Sequence, residues 1–436
     1  MMANAQPAYP SRGRAAAGII FLSLLGFVLT TDITLTALLA EPMKRDLGLS
    51  DVQVALLQGT AYGLALGFAS LPAGRMIDRI SRRFLLGCGL VAWTGALATI
   101  GTAEDFGTLI VGRMALGLVA ALVVPAAFSM AADLYPPERR SVSTSLLVVG
   151  QALGQGCGVL VGGLAFDALT RAAAAGDFIA VAPWRALYLA AAVIGAALLA
   201  LLALVSEPAR QERRQDGANL RTAVSELWLY RGFLIPLLLG LLFAQVTIQA
   251  VSIWSSPLLI RRGLTPGQFA GWLGAVLLVG GIAGALAGGW LAELGRRMGG
   301  RTGVLIPAML LALLIAPASI FPLMASLNAF AGLLVVHIFA GAVVATIGVI
   351  AVTMVIPNEI RGLALGFNTF ASAVFGAAGA PAVVALISRA MGGEAMLPTA
   401  FASVCVPSAI MAALFLGLAS RTSAMLPESP ATAVPG

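Results

Sequence analysis

Charge is what this chain has least of. Only 10% of its 436 residues are Asp, Glu, Lys or Arg, against 59% hydrophobic, whereas a soluble domain carries about a quarter charged residues. So few charges cannot clothe a water-soluble surface of this size, which excludes a soluble globular fold. Lysine occurs once, at Lys44, and histidine once, at His337. The three cysteines, Cys88, Cys157 and Cys405, all fall within apolar runs. They form neither a disulfide framework nor a metal site, and read as small buried hydrophobes. No GxxxxGK[ST] loop is present to hold a nucleotide phosphate, which argues against ATP-driven work. No nucleophile–base arrangement or metal-ligand cluster stands at membrane depth, so a membrane-embedded enzyme is the remote alternative and neither cofactor nor metal is expected. The net charge of +7 lies in short clusters between apolar runs. It forms no stripe for nucleic acid, and reads instead as loops facing anionic lipid.

What fills the chain is long apolar runs. A hydrocarbon core of about 30 Å is crossed by about 20 helical residues. That ruler places six spans at 17–40, 52–74, 84–103, 107–133, 142–166 and 184–206, and six more at 232–258, 269–292, 302–324, 329–356, 362–388 and 399–420. The first run, behind Arg12 and Arg14, is too long for a secretory signal, so it reads as an uncleaved span. With the N-terminus in the cytoplasm, 18 basic residues fall on the inner side and 7 on the outer. That bias fits an even number of spans with both termini inside. The polar stretch Ser206–Arg231 is too short and too poor in apolar residues to bury a core. The expected layout is therefore an N-terminal six-helix bundle at 1–206, a cytoplasmic linker at 207–230, a C-terminal bundle at 231–421 and a tail at 422–436. One lysine against 25 arginines suggests a GC-rich bacterial genome, hence a bacterial inner membrane.

The halves repeat. At an offset of 215, Gly48-Leu49-Ser50 matches Gly263-Leu264-Thr265, Gln53 matches Gln268, Gly74 matches Gly289 and Arg82 matches Arg297. Parallel repeats are one design of secondary transporter, with the substrate site at mid-bilayer between them. Gly150, Gly154, Gly158 and Gly162 recur every four residues in the fifth span, a spacing that lets a neighbouring helix pack backbone to backbone.

Two charges lie within spans: Asp32 in the first and Arg113 in the fourth. Each costs about 2.5–3.5 kcal/mol at bilayer depth, so each needs a partner or a wet cavity. Measured from the outer ends of their spans their depths agree, so the two are expected to face each other or to share one polar cavity. Either they form a structural ion pair, or Asp32 carries a proton that Arg113 helps release, or Arg113 binds an anionic solute.

Gly74-x3-Asp78-Arg79-x2-Arg82-Arg83 resembles the signature loop between helices 2 and 3 of the major facilitator superfamily. The resemblance implies an all-α membrane protein of twelve transmembrane helices in two pseudo-symmetric bundles. It implies a gate in which Asp78 meets the start of helix 11 near Gly362, while Arg79 and Arg83 pair with Asp133; plain positive-inside anchoring is the other reading. It also implies that the first and fourth helices of each half line a central cavity. That would gather Asp32, Arg113, Gln245, Gln249 and His337, with Tyr62 and Trp254 as aromatic walls. An interior hydrogen-bonded role is the alternative for His337. A glycine-rich fifth helix containing Gly-Pro is linked with exporters in that superfamily, but here Gln155 follows Gly154, so close packing is the better reading.

Asp46-Leu47-Gly48-Leu49-Ser50-Asp51-x-Gln53, Pro125-Ala126-Ala127-x-Ser129 and Ala132-Asp133-x-Tyr135-Pro136-Pro137-x-Arg139-Arg140 resemble the bacterial Spinster-like branch, and Trp254-x2-Pro257-x3-Arg261 echoes it. That likeness implies coupled transport of lysolipids or related amphiphiles. Two positions depart from it: Ile33 stands where an Arg is common, and Ala120 where a Glu is common. The expected activity is therefore proton-coupled transport of a small organic solute by a monomer in a lipid bilayer. An uncoupled facilitator or exchanger, and an organic-anion or sugar-acid importer, are the alternatives.

Overall fold

The computed structural model describes residues 9–136, 139–176, 181–210 and 220–423. Among these residues the regular structure is helical throughout, and twelve helices are long and apolar enough to cross a membrane. They are α1 (Arg12–Leu47), α2 (Asp51–Ser70), α3 (Arg82–Gly101), α4 (Phe106–Asp133), α5 (Val142–Ala174) and α6 (Pro183–Leu202). After them come α7 (Arg231–Arg261), α8 (Pro266–Gly300), α9 (Ile306–Leu323), α10 (Leu327–Val355), α11 (Ile360–Ala390) and α12 (Glu394–Thr422). Most of the tail, and 211–219 of the linker, lie outside the described residues. Leu220–Leu229 forms a ten-residue helix.

Every apolar run became a helix, but helix ends are set by capping, not by the apolar stretch. The ladder of α1 runs seven residues past Ala40 and stops at Gly48, whose φ of 64° is the left-handed conformation that glycine adopts without strain. Ser50 then opens α2 with a capping box: its hydroxyl accepts from the Gln53 amide, and the Gln53 side chain accepts from the Ser50 amide. The repeat is built alike. Gly263 has φ of 87°, and the Thr265 amide donates to Gln268 Oε1 at 2.9 Å, as Ser50 does to Gln53. Asp105 caps α4 through the Thr108 amide and hydroxyl, and those bonds hold its carboxyl below the ordinary range.

By packing, the chain divides into two compact units. The first comprises residues 1–215 with Leu259–Leu278, and the second comprises 216–258 with 279–436. In the first unit the glycines of α5 do what their spacing suggests. A Cβ at Gly150 or Gly154 would collide with the carbonyl of Ser23 or Phe27 on α1, and one at Gly158 would strike Thr34. Threonines of α1 answer across the same seam, Thr30 to the Gln151 carbonyl at 2.8 Å and Thr31 to that of Gly154 at 3.2 Å. The off-register Gly156 and Gly163 meet the start of α8 at Gly274 and Pro266. The second unit is filled by aliphatic side chains such as Leu237, Val344 and Leu416.

Large apolar side chains stay exposed along the spans, Val111 at 63% and Leu118 at 48%, as lipid-facing surface requires. This corrects the reading of the cysteines. Cys405 is buried, but Cys157 is only partly so and Cys88 is exposed, because an apolar residue in a span can face lipid as easily as core.

Candidate functional site

Asp32 and Arg113 do meet. Both are inside the first unit, 4% and 2% exposed, and Arg113 Nη1 lies 3.4 Å from Asp32 Oδ2. That is a loose contact for a guanidinium and a carboxylate, which close to about 2.7–2.9 Å when unhindered. The same nitrogen makes a shorter bond, 2.9 Å, to the hydroxyl of Thr36. Arg113 Nε points at the Leu57 carbonyl at 3.4 Å, and the guanidinium sits 5.3 Å from the centre of the Tyr62 ring, a cation–π distance. Leu57 lies in a π-helical stretch, Leu56–Ala61, inside the second span. A π turn shifts the register of the backbone ladder, and such turns recur at functional sites.

Thr36 sits one turn beyond Asp32 on α1. Its hydroxyl donates to the Asp32 carbonyl at 2.9 Å and accepts from Arg113 and, at 2.8 Å, from the Tyr188 hydroxyl of α6. The Asp32 carboxylate is left with an idle oxygen: Oδ1 is buried and has no hydrogen-bond partner. Nearby in sequence, the Gln58 Nε2 is buried and unpaired too. The arrangement can exchange a proton at Oδ1, or let Arg113 bind an anion in place of Asp32.

Of the other expected cavity residues, Tyr62 joins this network. Gln245, Gln249, Trp254 and His337 belong to the second unit. Gln245 packs beside Gly376, in a second π-helical stretch, Ser372–Gly379. Gln249 is partly buried. Trp254 is fully buried, with its indole nitrogen unpaired. His337 turns toward α9, with Nδ1 3.3 Å from Ser319 Oγ and its ring edge-on to Phe321.

The helix of α2 runs on to Arg79, and the short turn from it into α3 is organised around Arg82, not around Arg79 and Arg83. Arg82 is 1% exposed. It pairs with Asp133 at the end of α4 and with Glu207 at 3.2 Å, and it donates to the Pro208 carbonyl at 2.8 Å. Arg83 reaches the Ala203 carbonyl at 3.0 Å, while Arg79 and Asp78 have exposed side chains. A Cβ at Gly74 would meet open space, so this glycine does not mediate close helix contact here. The segment after α6 therefore straps the loop. Arg210 caps the carbonyls of Ile77, Asp78 and Ile80, and Glu207 takes bonds from the Ser81 hydroxyl and the Arg82 amide. Burial pushes the Glu207 carboxyl up, but the Ser81 and Arg82 hydrogen bonds and the Arg82 charge outweigh it and hold it below the ordinary glutamate value. Glu207 and Arg210 were legible only as charges opening a polar stretch.

A third ionic cluster escaped sequence reading because its members sit at helix ends. Arg261, at the end of α7, bonds Asp51 through both nitrogens at 2.6 and 3.0 Å and Glu41 at 3.1 Å; Lys44 meets Asp51 at 2.6 Å. All four belong to the first unit. Among the described residues, no group of His, Cys, Asp and Glu could hold a metal ion.

Comparison with known proteins agrees with this architecture. The model of the Major Facilitator Superfamily matches residues 20–297. An MFS-type efflux pump of Mycolicibacterium smegmatis is 25% identical over 288 residues, 65% of this chain and 63% of that protein. Protein spinster homolog 3 of Danio rerio is 27% identical over 263 residues, 58% of this chain and 49% of that protein. The chain thus spans less than two thirds of the length of either relative. Among solved structures, a bacterial homolog of the human lysosomal transporter Spinster, inward-facing and unoccupied, superposes with a TM-score of 0.79 at 22% identity, covering 97% of this chain and 100% of that one. At that identity the likeness speaks for the fold.

Proposed function

We propose, from the premise that the chain belongs to the Major Facilitator Superfamily, that it is a secondary active transporter of a small organic solute, coupled to protons through Asp32 and Arg113. On this reading it works by alternating access as a monomer, multi-pass in a bacterial inner membrane with both termini in the cytoplasm, and it performs no catalysis. Amphiphiles are the favoured solute class, because the motif likeness implies them and a similar Danio rerio protein is a sphingosine-1-phosphate transporter.

One observation carries the coupling: a buried acid whose Oδ1 is unpaired beside a loosely held arginine. A carboxylate locked in a bidentate ion pair has no site for a proton, whereas this one does. The gate reading of the loop draws support from Arg82, which ties α3, α4 and the strap after α6 at one point.

The test begins with the solute. Thermal stabilisation of the purified protein across lysolipids, fatty acids, sugar acids and drugs identifies what binds. Flux of that solute into proteoliposomes is then measured with and without a pH gradient. Asp32→Asn is expected to abolish accumulation driven by the gradient while downhill exchange continues. Gradient-driven accumulation by that variant would sink the assignment of Asp32.

A second reading, uncoupled facilitation or exchange, is favoured by Ile33 and Ala120, which leave the network with a single acid and a single base. Equal flux with and without the pH gradient in the unsubstituted protein would establish it.

A further inference from the structure

Arg113 is paired with Asp32, yet it does not close on it. Within the same unit Arg261 closes on its carboxylate even though it also holds Glu41: it takes Asp51 with two nitrogens, at 2.6 and 3.0 Å. Arg113 offers Asp32 one nitrogen at 3.4 Å and gives its better bond to Thr36 at 2.9 Å. The guanidinium is steadied elsewhere by the Leu57 carbonyl and the Tyr62 face. Thr36 cannot easily release it. A hydroxyl has one donor and two acceptor sites, and here all three are filled, by the Asp32 carbonyl, Arg113 and Tyr188. Because Thr36 is four residues beyond Asp32 on one helix, its hydroxyl stands on the same face, one turn away.

We propose that Thr36 is a positioning residue that holds Arg113 off Asp32 and so keeps Oδ1 open to a proton or to a cationic group of the solute. This deepens the transport reading above and rests on it for its meaning, but the geometry can be tested without any solute. Removing the hydroxyl and keeping the shape, as in Thr36→Val, frees Arg113 to swing onto the carboxylate and occupy it.

Dicyclohexylcarbodiimide reads the outcome. It is an apolar reagent that takes up a carboxylic acid. The acid's oxygen bonds to the carbodiimide carbon, its proton passes to a nitrogen, and the adduct rearranges to a stable N-acylurea that mass spectrometry locates. In the unsubstituted protein an adduct is expected on the peptide carrying Asp32, and Asp32→Asn is expected to lack it. Thr36→Val should lose at least about fivefold of that labelling, corresponding to one ordinary hydrogen bond of about 1 kcal/mol, while Thr36→Ser should stay within about twofold. If Val does not give a folded, monodisperse protein, Thr36→Ala takes its place.

Labelling of Thr36→Val at the unsubstituted level overturns the proposal. So does a loss in Thr36→Ser as deep as in Thr36→Val, which would mean packing and not the hydroxyl. Absence of any Asp32 adduct in the unsubstituted protein also overturns it. The flux assay with Asp32→Asn judges the coupling reading separately. Labelling that follows Thr36 alongside intact gradient-driven transport in Asp32→Asn would leave the positioning role standing and remove the coupling.

Discussion

At the scale of single residues, the chain hides charge by giving its buried and partly buried arginines, Arg82, Arg113 and Arg261, several partners each. Half-buried Glu207 lies outside the spans. Its folded pKa is below the ordinary value, held there chiefly by Ser81 and Arg82 against the opposing effect of burial. The sign follows: its contribution to stability is complete above the unfolded value and is lost as pH falls through the folded one. The melting temperature of the detergent-solubilised protein is therefore expected to drop as pH falls below about 5, and Glu207→Gln to flatten part of that drop. Equal slopes for both proteins would remove Glu207 from the account.

The residues that sequence reading found, Asp32 and Arg113, announced themselves by cost, since an ion at bilayer depth stands out among apolar neighbours. Thr36 did not. It is one of four threonines between Thr30 and Thr36, two of which bond carbonyls of α5, and nothing in the letters ranks one hydroxyl above another. The depth argument reached the right pair from displaced helix ends. With α1 ending at Leu47, Asp32 lies fifteen residues, about 22 Å, from that end, and Arg113 is seven residues into α4. Such a helix overruns the hydrocarbon, so matched distances to helix ends were not what brought the pair together.

At the scale of elements, glycine spacing carried more information than hydropathy. The four-residue series of α5 forecast a backbone-close seam without naming the partner, and α1 fills that place. Gly154→Leu is expected to be destabilising by roughly 1–3 kcal/mol or more, because the new side chain would meet the Phe27 carbonyl and Thr30, which are not free to retreat. Gly332→Ala, on α10, where an added Cβ meets nothing, is the control, with stability unchanged or raised. Thermal unfolding of both variants in one detergent decides, and equal melting temperatures would deny the seam its role. The π-helical stretches of α2 and α11 were not legible, because a register shift of one residue leaves no mark on composition.

At the scale of the whole molecule, all twelve spans and their order could be read from apolar runs alone, since lipid demands a helix wherever the backbone crosses it. The repeat of Gly-Leu-Ser/Thr with a following Gln was also sound: both copies make the same glycine turn and the same cap. What hydropathy does not carry is the company each segment keeps, so the assignment of Leu259–Leu278 to the first packing unit came only with structure. The proposed cytoplasmic placement of both ends invites a direct check. With the native cysteines replaced, a membrane-impermeant maleimide should label Gly13→Cys and Thr422→Cys from the cytoplasmic face of membrane vesicles and not from the other. Labelling of either from the opposite face would invert or break the topology.

The strap behind α6 bears on where this polypeptide can be divided. Its acid and base are tied into the loop that precedes α3, so any scheme that expresses the protein as two complementary fragments, or inserts a tag or a protease site between them, must leave the first piece intact through Arg210. A break placed before Arg210 would uncap three carbonyls at the end of the preceding helix, and one placed before Glu207 would also strip Arg82 of that carboxylate.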